Sequence, residues 1–455
     1  MHEIKNHQYK GNIHMWIDKC TASKYLARGI VSSENTTNLP SDCLYYKINK
    51  EKIYHLKSVF FNGKKNEFYF KFPIGLSKND SIEILNSSNG QILHSLCIED
   101  DFMNPVEVLA DCLFHLPDWS IDKVRVDQDL IEIDGWILKE NLSATYSVQV
   151  NGAVMETVST YNRPDVVEAF QNLGDLSFVY GFKANISVSK IDRQEYFDQG
   201  LRFELYRTPT SKEVIAPSFY YPNDSIIGRY PLPDNEQVYR VYGSNDVHIY
   251  IKNGYTHFQR MRDLFLSLFT NSKKLRVLDW GCGCAGLGRY FIDDSYFEYF
   301  GCDIDGENIQ WCKNFIAENA FSEVLPKTPT PYPDGEFDLI FGISVFSHLN
   351  EENQFLWLEE LHRLLKRNGF LLVSILGTQA ISKIQSPLCL DILEKGFVFS
   401  SSDHKIGEII DDQSYYGTAY HTIDYVMENW TKDFSLYQYT QSFLGHQDLV
   451  ILKKM

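Results

Sequence analysis

Two aspartates and a run of glycines are the residues whose types and spacing point to shared chemistry. In LRVLDWGCGCAGLGRYF, Leu275 to Phe291, a short apolar run ends on Asp279, and glycines follow at 281, 283, 286 and 288. A second apolar run, FEYFGCD, ends on Asp303 and leads into IDGENIQ. Glycine suits a turn between strand and helix because it takes positive φ freely and lets a ligand lie against backbone. Gly281, Gly283 and Gly286 form a G-x-G-x-x-G, which fits a nicotinamide dinucleotide site equally well. Asp279 separates the readings. A carboxylate two residues before the first glycine would repel a pyrophosphate and would receive an ammonium. An acidic residue about 20 positions beyond the glycines is placed to bind ribose hydroxyls. Amine, close backbone and ribose together describe a nucleoside that carries an amino acid.

The elements that must position these groups alternate between strand and helix. After Asp303 comes a helix, then a loop stiffened by prolines, FSEVLPKTPTPYPDGEF, then a buried strand, Phe337 to Phe341. Gly342-Ile343-Ser344-Val345-Phe346-Ser347-His348 follows at the carboxyl edge, where α/β sheets bind ligands. The next helix is expected to be capped by Asn350, with Glu351 and Glu352 at its positive end. Lys366 and Arg367 are expected at its negative end, with Gly369 as its stop. The strand FLLVSIL follows, then a long excursion, Gly377 to Met427, and two closing strands, FSLYQYT and DLVILKK. Before the first strand, Phe258, Met261, Phe265 and Leu268 fall at helical spacing and predict a helix packed on the sheet. Tyr242, His248 and Tyr255 lie near it as possible cleft residues.

In order, VLDWGCGCAGLGRY, YFGCDIDGENI, PYPDGEFDLIFGISVFSHL and LEELHRLLKRNGFLLVSILG resemble the class I S-adenosylmethionine-dependent methyltransferases, and so does the closing YHTIDYVMENWTKDFSLYQYTQSFLGHQDLVILKK. The resemblance covers about Ile226 to Met455. It implies a Rossmann-like α/β domain and S-adenosyl-L-methionine as cofactor, with S-adenosyl-L-homocysteine as product. The implied cofactor residues are Asp279, Gly281, Cys282, Gly283, Gly286, Asp303, Ile304 and Ser344. An Asn/Asp-Pro-Pro-aromatic motif of enzymes that methylate exocyclic amines is absent. A hydroxyl acceptor needs a base near the moment of transfer. His421, in the excursion that would hang over the cleft, and His348, after the fourth strand, are the candidates. Tyr416 is a lesser one, because a neutral phenol is a poor base at pKa about 10. Asp411-Asp412 is the adjacent acidic pair of the excursion and reads as a solvated turn, so no metal is expected.

Residues 1 to about 225 read as β structure, with alternating runs EFYFKFPIGL, SIEIL, DLIEIDGWIL, TYSVQV, FKANISVSKI and LRFELYR. Their spacing predicts antiparallel sheets packed as sandwiches. FYFKFPIGLSKNDSIEILNSSNGQIL and FKANISVSKIDRQEYFDQGLRFELYRTPTSKEVI share a strand–linker–strand–turn order, which suggests a duplication. The expected architecture is a β-rich domain over 1–104, a β-sandwich-like module over 105–225 and the methyltransferase-like domain over 226–455. Asn104-Pro105 and Pro222-Asn223-Asp224 mark the boundaries. The second module resembles one found beside glycosyltransferase and methyltransferase domains in bacterial surface-polysaccharide enzymes. Gly135-Trp136, Arg163-Pro164-Asp165 and Gly181-Phe182 carry that likeness. It implies O-methylation of a sugar hydroxyl on a cell-surface glycan or its precursor, with the β domains engaging polymer or other polysaccharide-assembly enzymes. Methylation of a small molecule or protein, and a non-catalytic scaffold, are the alternatives.

Composition narrows the partners. The chain has 455 residues and a net charge of −17, without a visible Lys/Arg cluster, which argues against a nucleic-acid substrate. The polar start MHEIKNHQYKGN lacks a signal-peptide core, and no run approaches the ~18 apolar residues of a membrane span. The nine cysteines are odd in number and scattered, as expected of reduced thiols in a cytoplasmic protein. Cys282 and Cys284 are too close together for usual zinc spacing.

Overall fold

The computed structural model describes residues 118–455 except 128–129, 139–144, 155, 170–178, 209–217, 270–273, 327–328, 378–379, 382–383, 385–387 and 401–414. Before residue 118 it describes the strands Ile13–Ile17, Leu26–Ser33, Leu44–Ile48, Lys52–His55, Glu67–Lys71, Ser81–Asn86 and Ile92–Cys97. The boundary at Asn104-Pro105 and the acidic pair Asp411-Asp412 lie outside the described residues.

The early strands form a three-stranded and a four-stranded antiparallel sheet. Residues 118–221 form two more antiparallel sheets of four strands each. In Leu130–Leu138 the alternation read from sequence is realised, with Ile131, Ile133 and Ile137 buried and Glu132 exposed. Side chains of both sheets, including Ile121, Ile133, Phe182, Val150 and Phe203, share one core. In each suggested repeat the two strands enter different sheets: Glu67–Lys71 and Ser81–Asn86 in the first, Val179–Ser187 and Leu201–Thr208 in the second.

The short motifs of this module meet one another. Gly135 pairs with Phe182, and Trp136 with Gly181, on neighbouring strands. A Cβ at Gly135 would lie 2.8 Å from the Phe182 ring, and one at Gly181 would lie 2.6 Å from the Tyr161 ring. Arg163 donates to Asp122 at 2.6 Å and to both oxygens of Asp165 at 2.9 and 2.6 Å. It therefore fastens the short helix Pro164–Ala169 to the strand Asp118–Val126.

The C-terminal half is built on a seven-stranded sheet. Its strands are β1 (Leu275–Trp280), β2 (Phe297–Asp303), β3 (Phe321–Glu323), β4 (Phe337–Gly342), β5 (Leu365–Ile375), β6 (Phe434–Leu444) and β7 (Gln447–Lys454). They lie in the order β3-β2-β1-β4-β5-β7-β6; β1 to β5 are parallel and the last two antiparallel. Helices α1 (Asn235–Tyr242), α2 (Val247–Leu268), α3 (Gly306–Phe315) and α4 (Glu351–Leu364) cover it. Phe258, Met261 and Phe265 of α2 pack with Phe341 and Leu372 on one face. Trp280, Phe346, Trp357 and Trp430 fill the other. Strands covered on both faces read as continuous apolar runs, which is why VLDW and DLIFG were legible.

Helix α4 is capped by Asn350, which accepts from the Asn353 amide, but it ends at Leu364. Lys366, Arg367 and Gly369 belong to β5, contrary to the sequence expectation. Helix passes straight into strand at Leu365, whose backbone is already extended (φ −73°, ψ 141°), and Asn368, at φ +62°, lies within β5. The helix thus ends without a left-handed residue, so the stop does not need the glycine.

Contacts cross the expected boundary at residue 225. The core of the two sheets continues into Val238, Tyr250, Ile251 and Cys284. Lys252 donates to the Ile121 carbonyl at 2.6 Å, Tyr255 to that of Gln199 at 2.9 Å, and Arg260 to that of Ser218 at 2.6 Å. Among the described residues no helix is long and apolar enough to cross a membrane. Helix α2 also presses on the glycine turn, because a Cβ at Gly254 would sit 2.3 Å from the Gly286 carbonyl oxygen. That oxygen is backbone and cannot swing away. Gly254→Ala should therefore destabilise the protein by about 1–3 kcal/mol, read as a lower thermal midpoint.

Candidate functional site

Strand β1 ends beside a turn of unusual backbone. Gly281, Gly283 and Ala285 have φ of +78°, +51° and +54°. The amides of Gly281 and Cys282 donate to the Cys302 carbonyl at 2.8 and 3.1 Å. Asp303 holds the turn from the next strand: Oδ2 accepts from the Gly283 amide at 2.7 Å and Oδ1 from the Asp305 amide at 2.9 Å. Burial raises its pKa, and these backbone donors oppose the rise. Asp305 in turn caps α3, accepting from the Glu307 and Asn308 amides. Arg240 of α1 lies 3.3 Å from Asp305 and 2.8 Å from Glu307.

Asp279 is buried, and its Oδ2 accepts from the Tyr299 hydroxyl at 2.9 Å. Desolvation pushes its pKa up to about 7, the Tyr299 bond opposes this, and the Asp303 charge adds to it. A carboxylate held this way gains most from a cation brought to it. Asp279, Gly281, Cys282, Gly283, Gly286, Asp303, Ile304 and Ser344 all line one cavity of about 520 Å³. That volume lies in the usual range for small-molecule sites.

The glycines serve the protein's own packing as well. Added Cβ atoms would meet Val345 at Gly281 (2.4 Å), Val241 at Gly283 (2.8 Å) and the Tyr242 hydroxyl at Gly286 (2.3 Å). At Gly286 the space is occupied by Tyr242, so glycine there makes room for α1. The Cys282, Cys284, Cys302 and Cys312 thiols are free and buried, with pKa values raised by desolvation, so none is a ready nucleophile. Ser344 sits at φ +62°. Its amide donates to Ser374 Oγ at 2.7 Å, Ser374 donates to Gln447 Oε1 at 2.5 Å, and Gln447 donates back to Ser344 Oγ at 2.8 Å.

The candidate bases part company. His348 lines the cavity, its Nδ1 lies 2.8 Å from the Gly417 carbonyl, and its ring stacks on Tyr416 at 4.7 Å and 8°. A carbonyl only accepts, so Nδ1 carries a hydrogen, and in the neutral ring the lone pair is on Nε2. Tyr416 lines the cavity as well. His421 does not; it is a correction to the sequence reading. Its ring is fully buried among Phe397, Tyr425 and Trp430, and Nε2 pairs with Gln354 Oε1 at 3.0 Å. Desolvation lowers its pKa to about 3. The chain bridges Leu376 to Tyr420, and this draws the next residue into the core.

Tyr242 lines the cavity, but His248 pairs with the Tyr221 hydroxyl and Tyr255 with the Gln199 carbonyl instead. The lining also holds polar residues that the sequence reading did not single out, among them Asn253 and His257 on α2, Arg240, Asp305 and Asn308, and His446 and Gln447 at the β6–β7 turn. The spacing of 253 and 257, one helical turn, was the available signal.

Residues 278–373 match the family model described as a methyltransferase domain. Over 121 residues the chain is 30% identical to an uncharacterized protein of Methanocaldococcus jannaschii, covering 26% of this chain and 49% of that protein. The chain thus spans about half the length of this curated relative. Among solved structures, a protein of Pyrococcus horikoshii is 16% identical, with 48% of this chain and 99% of that one covered and a TM-score of 0.35. A SAM-dependent methyltransferase of Aquifex aeolicus is 16% identical, with 43% and 89% covered and a TM-score of 0.27.

Two outcomes are expected. Because Asp279 has a raised pKa in the folded state, its contribution to stability is complete below about pH 4 and is lost as pH rises to about 7. The loss has a limiting slope of about 1.4 kcal/mol per pH unit. Asp279→Asn should remove that decline in denaturant titrations of the unliganded protein. His421→Ala should cost about 2–5 kcal/mol of stability, as a core truncation does, measured by the same unfolding experiment.

Proposed function

We propose, from the Rossmann-like methyltransferase domain at residues 278–373, that this protein transfers a methyl group from S-adenosylmethionine to an oxygen of a sugar. The observation that carries the first part is one cavity lined by two carboxylates at the ends of neighbouring parallel strands, with the glycine turn beside them. Asp279 suits the ammonium of the cofactor's amino acid. Asp303 suits the ribose hydroxyls, and its two backbone donors fix its plane. Asn308 and Ile304 stand beside it. When bound, S-adenosylmethionine supplies a methyl group already activated by positive sulfur.

The chain's own work is to align the acceptor, exclude water and take a proton. Alignment contributes up to ~7–11 kcal/mol in well-held intramolecular systems. His348 is the base in this reading: Gly417 orients the ring, and Nε2 receives the hydroxyl proton. A base of this kind adds about 10²–10⁴-fold. Tyr416 supports it by stacking. The sugar acceptor, from a cell-surface glycan or its precursor, rests on the Gly135-Trp136, Arg163-Pro164-Asp165 and Gly181-Phe182 resemblance. The β domains would then engage polymer or partner enzymes.

Calorimetry with S-adenosylhomocysteine should show binding, and Asp279→Ala should weaken it about tenfold or more, as loss of a charge-assisted contact does. Since a protonated Asp279 must ionise to meet an ammonium, affinity should rise with pH between 5 and 7 and level off above. His348→Ala should keep that affinity and lose about 10²–10⁴-fold in labelled-methyl transfer to a glycan extract. Absence of binding by the intact protein would overturn the reading.

A further inference from the structure

The polar groups along the cavity divide into those the protein already satisfies and those it does not. Asp303 is held by two amides, Arg240 by two carboxylates, and Gln447 by Ser344 and Ser374. Asn253 and His257 line the same cavity, yet among the described residues their side chains make no hydrogen bond. They stand one turn apart on α2 and so present their side chains side by side. Both are half-buried and open to the cavity, so a ligand that enters it can pair with them.

Their place along the sheet gives them a role. The site assigned to ribose is at the end of β2 and that assigned to the amine at the end of β1. The order β2-β1-β4-β5-β7 continues toward Ser344, Leu376 and Gln447. His257 lies at that end, near enough to His446 of the β6–β7 turn to feel its charge. We infer that Asn253 and His257 form the wall that reads the acceptor, and that the acceptor is an uncharged sugar. This rests on the methyl-donor site described above.

Charge decides the class. Burial, with Arg260, His446 and Lys252 adding to it, lowers the pKa of His257 to about 3. The ring is neutral at physiological pH and offers one donor and one acceptor, as the Asn253 amide does twice over. This matches a hydroxyl pair. The fixed cation of the cavity lining, Arg240, is already paired with Asp305 and Glu307, and the lining residues include no other Lys or Arg. Lys252 and Arg260 on the same helix spend their donors on carbonyls of Ile121, Ser218 and Phe443. A carboxylated or phosphorylated sugar would find no unpaired Lys or Arg among the lining residues to offset its charge.

The test uses the full chain loaded with S-adenosylhomocysteine and saturation-transfer NMR with three probe sets: neutral methyl hexosides, methyl glucuronide and glucose 6-phosphate. At least one neutral hexoside should bind, about tenfold more tightly than either charged probe. His257→Ala and Asn253→Ala should each weaken that hexoside about tenfold, while calorimetric affinity for S-adenosylhomocysteine holds. His257→Gln, which keeps a donor and an acceptor, should restore much of the loss. Equal or tighter binding of a charged probe, no binding of any neutral hexoside, or parallel loss of nucleoside and hexoside in the variants would overturn the inference. Failure of the wild type to bind S-adenosylhomocysteine would instead sink the donor site itself.

Discussion

The grip of the Asp303 carboxylate on the Gly283 amide is the interaction on which the site depends. It ties the end of β2 to the turn after β1, so two neighbouring strands present one rigid edge. The same carboxylate reaches the Asp305 amide, and Asp305 then caps α3. One side chain thus sets the turn, the strand end and the start of a helix. The arrangement burdens the pocket with negative charge, and desolvated Asp279 bears the consequence. Burial raises its pKa toward 7, with the Asp303 charge adding and the Tyr299 hydrogen bond opposing.

Helix α2 is the second element that makes the arrangement coherent. One side packs on the sheet through Phe258, Met261 and Phe265. Another meets the β module through Tyr250, Ile251, Lys252 and Thr256. At Gly254 it touches the glycine turn directly, and Asn253 and His257 face the cavity. The Tyr250 hydroxyl, buried in the core shared with the β sheets, donates to the Cys284 carbonyl within the turn at 3.0 Å. The β module is therefore continuous with the scaffold of the site, which the cut at residue 225 did not suggest.

The residues after β4 illustrate the limits of position-based reading. As sequence, His421, flanked by aromatics in the excursion over the cleft, stood ahead of His348 as the candidate base. Gly417 and Tyr416 bring His348 to the cavity, whereas the Leu376–Tyr420 bridge carries His421 into an apolar core. A fully buried imidazole with one amide partner has little basicity left.

The sequence by itself determined the doubly covered sheet and its order of elements, because apolar runs bounded by glycine and acidic residues encode local geometry. It also determined Asp279, the glycine turn and Asp303, since their spacing is set within two consecutive strand–turn units. The end of α4 was misplaced because the chain turns extended at Leu365 and runs directly into β5, with no left-handed cap for a glycine to fill. Only the tertiary structure decided which histidine reaches the cavity, that Asn253 and His257 face it, and that the β module shares a core with α1 and α2. Those outcomes depend on contacts between residues far apart in the chain, where burial and close approach leave no periodic trace in the sequence.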